Sequence, residues 1–408
     1  MLLSTSTRRQ FISAALALAV GPPRSSWASA RRRSLITVWL DGGPSQLETF
    51  DPHPGRKIGG PTRSVSTSLK GASIADGYPR LAEILGELNL VRSLVSKEGD
   101  HERATYFTKT GHRLDPVVRY PSVGAVFVSS SSGALGLPRH VALGSQPWPP
   151  RGGDLGAELD AFRVEDPGRS LGDIGSRVPP DRLERRRLRL ATLESSFSEG
   201  RGDRAAKIAA ITRGAFALTR STEKDALLID DEPASVRISY GDSRFGRGCL
   251  VARRLIERGV SAVEVCLSGF DSHAGNFEAH AERARELDPA LSSLIRELRD
   301  RDALRTTTVL VLGEFGRTPR INDLDGRDHW PHGFSCLVGG AGLQKGIVLG
   351  STDPAGESKL PADPVPVEDL LATVLVALGL DPEETWRSRD GRPIPFVPGR
   401  PVARLLRP

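Results

Sequence analysis

Cysteine is scarce in this sequence of 408 residues and occurs only at Cys249, Cys266 and Cys336. The three have none of the close spacing that a zinc finger requires, which excludes that class of site. An odd number also excludes a full disulfide framework, although a single bridge is compatible with the count. Because two of the three lie within apolar stretches, we expect buried free thiols.

The chain also lacks a strong excess of charge of one sign. It has 56 Lys and Arg against 50 Asp and Glu, a formal net charge of +6. Residues 1–30 hold three arginines and no acid, so without them the charge is 6 − 3 = +3. The short clusters Arg31–Arg33 and Arg185–Arg187 form no stripe of the size that nucleic acid needs, and we expect no nucleic-acid partner.

No hydrophobic run near the N-terminus is long enough for a permanent membrane anchor. The run Phe11–Val20 has about half of the roughly 20 residues that span a bilayer. It follows the pair Arg8-Arg9 and precedes Ala28-Ser29-Ala30, a small-x-small cleavage pattern. This order predicts a twin-arginine signal peptide over residues 1–30, with the twin-arginine export machinery as a partner and a periplasmic or extracellular location. That route carries folded proteins, often with their cofactors inserted, and fits an exported metalloprotein.

The rest of the chain, residues 31–408, shows no internal repeat and is predicted to form a single domain. Predicted strands alternate with predicted helices, which indicates an α/β fold with a doubly wound, mainly parallel sheet flanked by helices. Residues 140–245 differ. The stretch Trp148–Pro180 is rich in Pro, Gly and Asp, and Leu183–Leu228 has the pattern of two charged helices. We interpret this part as a helical and irregular insertion packed beside the sheet.

Apolar runs and capping residues give the expected elements. Strands are predicted at Leu35–Leu40, Leu88–Val95, Val260–Leu267, Thr306–Leu312 and Phe334–Val338. Helices are predicted at Pro79–Glu87, Asp100–Thr110, Gly248–Gly259, Phe277–Leu287 and Val367–Leu378, with a further helix beginning at Asp288-Pro289.

Four segments far apart in the chain carry side chains that bind metals well: Asp41, Asp271-Ser272-His273, Glu314 and Asp328-His329. The first three follow predicted buried strands. In open α/β sheets, ligands bind beyond the carboxyl ends of the strands, so we expect these acids and histidines to converge at one edge. Carboxylate oxygen combined with imidazole nitrogen suits zinc, manganese or iron better than calcium. The pattern predicts a site for one or two divalent metal ions, most simply in an enzyme.

Each segment also has a structural interpretation. Asp41 precedes two glycines and is compatible with a turn, and Asp271 is compatible with a helix cap. A carboxylate directly after a buried strand, as at Glu314, is costly unless it is paired or metal-bound. Arg317 is a candidate partner for it, but a guanidinium also holds phosphate or sulfate well. The residues alone leave these alternatives open.

Two more histidines are candidates. His332 lies three residues after His329 and is a weaker candidate for the same role. His101 stands at the start of the helix predicted at Asp100–Thr110, just beyond another strand. It either forms a hydrogen bond at the start of that helix or reaches the site.

These segments resemble domain-of-unknown-function family 1501, a group of exported bacterial proteins. The matching stretches cover nearly the whole chain after residue 30. They are LDGGPSQLETFDPHP, GDHERATYFTKTGH, SYGDSRFGRGCLVARRLIERGVSAVEV, GFDSHAGNFE, GEFGRTPRIN and GRDHWPHGFSCLVGGAG. The family is similar to the alkaline phosphatase and sulfatase superfamily, in which two metals at the carboxyl edge of the sheet bind phosphate or sulfate esters. The resemblance implies an alkaline phosphatase/sulfatase-like fold.

The resemblance also implies roles for single residues. Asp41 corresponds to the ligand of one metal that follows the first strand, and Asp271 and His273 correspond to ligands of the other. Glu314-Phe315 falls where the superfamily usually has Asp-His. His329, or else His332, corresponds to the late histidine.

Two departures from the superfamily pattern stand out. Phe315 replaces a ligand histidine, so the second metal lacks a nitrogen ligand unless His101 supplies it. The nucleophile is also missing: Gly99, Asp100 and His101 occupy the place where a Ser, Thr or Cys is expected. Ser45 and Ser96 are the nearest substitutes for the nucleophile, and neither is at that place. These departures argue against covalent catalysis.

Two functions follow. In the first, the protein is an exported metal-dependent hydrolase of phosphate or sulfate esters that uses metal-activated water. Arg317 or Arg327 would stabilise the developing charge, and His101 or His329 would protonate the leaving oxygen. Its substrate would be the ester of a small molecule or a glycan. In the second, the fold survives as a catalytically silent binding protein at the cell surface.

Overall fold

A nine-stranded β-sheet forms the framework of the protein. The computed structural model describes residues 33–131, 136–169, 176, 178–198 and 202–408. Together with three separate two-stranded sheets, the nine-stranded sheet contains the fifteen strands of the described residues. They are β1 (Ser34–Asp41), β2 (Ser64–Ser66), β3 (Ser73–Ala75), β4 (Leu88–Val95), β5 (His140–Leu143), β6 (Phe162–Val164), β7 (Ala262–Ser268), β8 (Thr307–Leu312), β9 (Gly316–Arg317), β10 (His329–Trp330), β11 (Phe334–Gly340), β12 (Val348–Leu349), β13 (Val365–Pro366), β14 (Thr385–Arg387) and β15 (Pro393–Pro395). The signal peptide predicted over residues 1–30 lies outside the described residues.

Helices connect these strands. They are α1 (Pro79–Ile84), α2 (His101–Thr110), α3 (Val123–Ser130), α4 (Pro180–Ser198), α5 (Gly202–Arg220), α6 (Ala234–Tyr240), α7 (Arg244–Glu257), α8 (Asn276–Asp300) and α9 (Val367–Ala377). Within the described part of the chain, no helix is both long and apolar enough to cross a membrane.

The strand order in the sheet is β12-β4-β11-β8-β1-β7-β5-β6, and β13 also pairs with β4. Strands β8, β1, β7, β5 and β6 run parallel to one another, and β12 and β13 run parallel to β4. Only β11 is antiparallel to the strands beside it, β4 and β8. Because β11 is antiparallel to both of them, β4 and β8 run in the same direction. The carboxyl ends of β4, β8, β1 and β7 therefore all lie at one edge of the sheet.

Alternate residues of β1 face two separate cores. Ile36, Val38 and Leu40 pack in a cluster that includes buried residues of α1, α7 and α8. Leu35 and Trp39 point to the opposite face and pack with residues of α2, α3 and α9. Because helices cover both faces, the central strands are apolar on both sides. The predicted α/β class, with a mainly parallel sheet flanked by helices, is confirmed.

The helix Asn276–Asp300 differs from the prediction. Two helices were expected, with Asp288 capping the second, but α8 continues through Pro289. Asp288 is a cap, although of another helix: its carboxylate accepts hydrogen bonds from the backbone N–H groups of Arg80 and Leu81 at the start of α1 (3.2 and 2.7 Å). The Asp-Pro pair has the local pattern of a helix start, and tertiary packing overrides it.

The segment expected as an insertion, about residues 140–245, contributes strands to the sheet. β5 pairs with β7, and β6 pairs with β5. These strands are only four and three residues long, too short for an apolar run to stand out among the Pro- and Gly-rich residues around them. The two charged helices expected here are α4 and α5. All three cysteines are buried and free, as expected.

Candidate metal centre

The side chains that meet at the carboxyl edge come from the ends of four strands. Asp41 is the last residue of β1, and Glu314 lies two residues after β8. Asp271 follows β7, and His101 begins α2 after β4. A fifth contribution comes from the small ribbon of β9 and β10, in which His329 pairs with Arg317.

Two glycines after β1 allow these segments to approach each other closely. Gly42 and Gly43 have φ angles of 107° and 73°, which favour glycine. A Cβ atom on Gly42 would lie 2.6 Å from the backbone nitrogen of Asp271, and one on Gly43 would lie 2.5 Å from the ring of Phe315. The backbone after β1 therefore has no room for side chains at these positions.

Asp271 is the centre of the cluster. Its Oδ1 lies 3.2 Å from His273 Nε2 and 3.6 Å from His329 Nε2, and its Oδ2 lies 3.4 Å from His101 Nε2. Oδ1 also accepts a hydrogen bond from Arg317 Nη2 at 2.7 Å. Burial alone would raise the pKa of Asp271, but the hydrogen bond and charge of Arg317 outweigh it, and the pKa lies below its ordinary value. The carboxylate is held ionised, as a metal ligand requires.

The Nε2 atoms of His273 and His329 face each other. His329 Nδ1 lies 2.8 Å from the carbonyl oxygen of Gly99, which can only accept, so Nδ1 carries the proton. His273 Nδ1 lies 3.0 Å from Asp328 Oδ1 and donates in the same way. In neutral imidazoles both Nε2 atoms are then acceptors, yet they lie 3.0 Å apart. A positive charge between them, either a metal ion or an extra proton, would satisfy both lone pairs.

Glu314 and His101 form a second, more buried part of the cluster. Glu314 is fully buried, and its Oε1 accepts from the backbone N–H of Gly42 (3.0 Å) and from His101 Nδ1 (2.7 Å). Burial and the nearby charge of Asp41 raise the pKa of Glu314, although the bond to His101 opposes this. The same bond raises the pKa of His101. Glu314 Oε2 and His101 Nε2 are buried and have no hydrogen-bond partner.

The separations between the donor atoms, and the donor atoms that have no hydrogen-bond partner, fit the binding of a metal ion. Ligands at about 2.0–2.1 Å from a zinc ion lie about 2.9–3.4 Å from one another, close to the 3.0–3.6 Å separations around Asp271. One ligand atom from each of His101, Asp271 and His329 lies within 4.8 Å of the other two. Buried polar atoms without partners, such as His101 Nε2, are costly unless an unseen group binds them.

The remaining predicted ligands lie at the periphery. Asp41 Oδ1 accepts from Trp39 Nε1 at 3.2 Å, and its charge acts on Glu314. Asp328 contacts the cluster through His273 and is 60% exposed. His332 packs edge-on against Trp330 instead, with ring centroids 5.0 Å apart. Of the two late histidines, His329 is the one in the cluster.

The two arginines expected to bind a substrate are both fully buried and engaged by the protein. Arg317 donates to the carbonyl oxygens of Gly42, Gly43 and Arg327 in addition to Asp271. Arg327 donates to both carboxylate oxygens of Glu48, at 3.1 and 2.8 Å, and to three carbonyl oxygens. Arg317 therefore pairs with Asp271 and not with Glu314, the partner that the sequence suggested. Both guanidinium groups act as braces between loops.

Phe315 and Asp100 occupy the two places where the sequence departs from the superfamily pattern. The Phe315 ring is fully buried and packs against His329 and His101, with centroid distances of 4.4 and 5.0 Å. Asp100 caps α2 by accepting from the backbone N–H of Arg103. An apolar ring and a helix cap thus occupy the places where the resemblance led us to expect a ligand histidine and a nucleophile.

Sequence reasoning missed the residues that hold the loops in place. The side-chain amide of Gln46 bonds both the N–H and the C=O of Arg317, at 3.0 and 2.8 Å. Glu48 pairs with Arg327, and the Gly99 carbonyl orients His329. Gln46 and Glu48 stand in the first matching stretch, LDGGPSQLETFDPHP, which was their only signal. Their distant partners could not be inferred from it.

Comparison with known proteins identifies the family. The model of a family described as "Protein of unknown function (DUF1501)" matches residues 32–406, so the chain belongs to this family. No curated protein matches the chain.

Solved structures with a related arrangement include a protein in the alkaline phosphatase superfamily from Vibrio parahaemolyticus (11% identity, covering 86% of this chain and 67% of that one, TM-score 0.39). Others are a putative sulfatase from Bacteroides thetaiotaomicron (12% identity, 86% and 71% covered, TM-score 0.34) and the lipoteichoic acid synthase LtaP from Listeria monocytogenes (11% identity, 92% and 77% covered, TM-score 0.37). Likeness at this level says nothing about what this chain binds or catalyses.

Proposed function

We propose that this member of the family is an exported, metal-dependent hydrolase of phosphate or sulfate esters that uses metal-activated water. The observation that carries the proposal is the group of Nε2 atoms of His101, His273 and His329 around the carboxylate of Asp271. In neutral imidazoles with their hydrogen-bond partners on Nδ1, each Nε2 atom has a lone pair available to a ligand, and one or two divalent cations beside Asp271 would satisfy these lone pairs.

The proposed ligands of the first ion are Asp271, His273 and His329. Each is oriented by a partner outside the ion: Arg317 holds Asp271, Asp328 holds His273, and the Gly99 carbonyl holds His329. Such partners fix the imidazole tautomer and the direction of the lone pair. Nitrogen and oxygen donors in this ratio suit zinc, manganese or iron.

A bound divalent cation supplies Lewis-acid polarisation of the ester and lowers the pKa of a coordinated water. His101 lies on the other side of Asp271, and its hydrogen bond with Glu314 raises its pKa. We assign His101 the transfer of a proton to the leaving oxygen, or the binding of a second ion together with Asp41 and Glu314. Arg317 supports the reaction indirectly, by keeping Asp271 ionised and in position.

A second function is favoured by one observation. Arg317 and Arg327 are fully buried and donate four and five hydrogen bonds to protein acceptors, so neither is free to hold the anionic group of an ester as the guanidinium clamps of hydrolases do. A catalytically silent, metal-stabilised binding protein at the cell surface is compatible with that arrangement. Metal binding is common to both functions, and turnover separates them.

The test combines metal analysis with turnover. Elemental mass spectrometry of the purified protein is compared with that of an Asp271→Ala/His273→Ala double variant, with thermal unfolding as the control for folding. Both proteins are then assayed on p-nitrophenyl phosphate and p-nitrophenyl sulfate with zinc, manganese or iron supplied. We expect bound metal and turnover in the parent and neither in a folded double variant.

The other outcomes are informative. Bound metal without turnover on either ester favours the binding protein. Turnover that persists in the metal-free double variant contradicts the proposed function.

A further inference from the structure

A cleft along α2, the helix that begins with His101, has no role in the chemistry described so far. It has a volume of about 130 Å³ and follows one side of α2. The rings of Tyr106, Tyr120 and Trp148 line it, together with the prolines of the segment 147–150. Flat apolar side chains of this kind bind the face of a ring and exclude water from it.

The cleft begins close to the candidate metal centre. Thr105, which lines the cleft, stands four residues after His101 in the same helix. Residues at i and i+4 share a face of a helix and are about 6 Å apart along its axis. The next turn carries Thr108, whose hydroxyl bonds the Glu314 backbone carbonyl. The cleft and the candidate metal centre therefore share the first turns of α2.

The polar groups of the cleft indicate which kind of ring fits. Thr105 is 1% exposed, and its hydroxyl has no hydrogen-bond partner. A buried hydroxyl without a partner is costly, and a purely apolar ring would leave it unpaired. A ligand with hydroxyl groups of its own would satisfy it.

The charges of the cleft nearly cancel, which favours an uncharged ring. Lys109 Nζ lies 2.6 Å from Glu264 Oε1 and also donates to Gln146 and to the Trp148 carbonyl oxygen, so its charge and its protons are used. The remaining charged lining residues are one acid, Glu102, and one base, Arg151.

We propose that this cleft binds a neutral sugar ring, with its apolar face against Trp148 and a hydroxyl hydrogen-bonded to Thr105. The sugar would be the alcohol portion of the ester, and in that respect the inference rests on the proposed function. It narrows the substrate class from esters in general to esters of a glycan.

Direct binding tests the inference without any turnover. Methyl glucoside, galactoside and mannoside are titrated onto the full chain, with and without a metal chelator, by saturation-transfer NMR and calorimetry. We expect at least one hexoside to bind under both conditions. Trp148→Ala should weaken it by about tenfold or more, and Trp148→Phe should retain most of the affinity because it keeps a ring. The backbone carbonyl that Lys109 contacts is unchanged in both variants.

Thr105 provides a matched pair of variants. Thr105→Val removes the hydroxyl and keeps the shape, whereas Thr105→Ser keeps the hydroxyl. We expect Thr105→Val to unfold no more easily than the parent, since the hydroxyl has no protein partner, and to bind the hexoside more weakly than Thr105→Ser does.

Two results would overturn the inference: no hexoside binds, whether or not phenol does, or the affinity for the hexoside is the same in Trp148→Ala as in the parent. Failure of the proposed function is distinguishable from failure of this inference. If a hexoside binds but no ester is hydrolysed, the proposed hydrolase function is contradicted and the proposed sugar site is supported.

Discussion

Replacement of His329 by alanine is the most direct test of the facing histidines. Without metal, the change removes the hydrogen bond to Gly99, which contributes about 1 kcal/mol. It also removes the contact between the two Nε2 atoms at 3.0 Å. These effects oppose each other, so we expect the metal-free His329→Ala variant to unfold within about 2 °C of the metal-free parent.

With metal, the two proteins should differ. An ion at 100 times its dissociation constant stabilises the folded state by about 2.7 kcal/mol. Residues 33–408 form one unit, and a chain of that size has an unfolding entropy of about 0.8 kcal/mol per kelvin. The parent's midpoint should therefore rise by about 3 °C on addition of zinc. The His329→Ala variant should lose most of that rise because a ligand is missing.

His332→Ala is the matched control. It removes a histidine three residues away that packs on Trp330 and has no contact with the cluster, so its zinc response should equal that of the parent. Calorimetric unfolding of the three proteins, each dialysed against a chelator and then against zinc, gives the comparison. The same zinc response in His329→Ala as in His332→Ala, or none in the parent, would refute the assignment.

Two further predictions concern stability. Glu48→Ala leaves the fully buried guanidinium of Arg327 without its carboxylate, and should lower the free energy of unfolding by about 3–5 kcal/mol in urea denaturation; a loss below about 1 kcal/mol would contradict the brace that we describe. Burial lowers the pKa of His140 to about 4. Between pH about 6.5 and about 4 the unfolded chain binds a proton at His140 that the folded protein does not. The free energy of unfolding should therefore fall by about 3 kcal/mol as the pH drops through this range, and His140 has no such effect above pH about 6.5. Urea unfolding between pH about 7 and about 4 should show a larger loss of stability in the parent than in His140→Asn, and an equal loss in the two proteins would contradict the assignment to His140.

Much of the framework could be predicted from local sequence. Runs such as Leu35–Leu40 have no polar residue except one threonine, and their short length and β-branched residues favour a strand buried on both faces. Asp100 and Gly111 mark the ends of α2 because a short polar side chain and a left-handed φ angle are what helix ends require. The same local rules were wrong at Pro289, where burial of the surrounding helix outweighs the hydrogen bond that proline lacks.

The sequence by itself determined the fold class and the residue types of the candidate site, because strand ends and their polar neighbours are local in the chain. Only the tertiary structure decided which groups meet. It brought His329 and not His332 into the cluster, and it joined Arg317 to Asp271 and Arg327 to Glu48. It also placed the ring of Phe315 against two histidines. These contacts join residues up to 279 positions apart, and their geometry depends on the twist and order of the sheet, which no local pattern records.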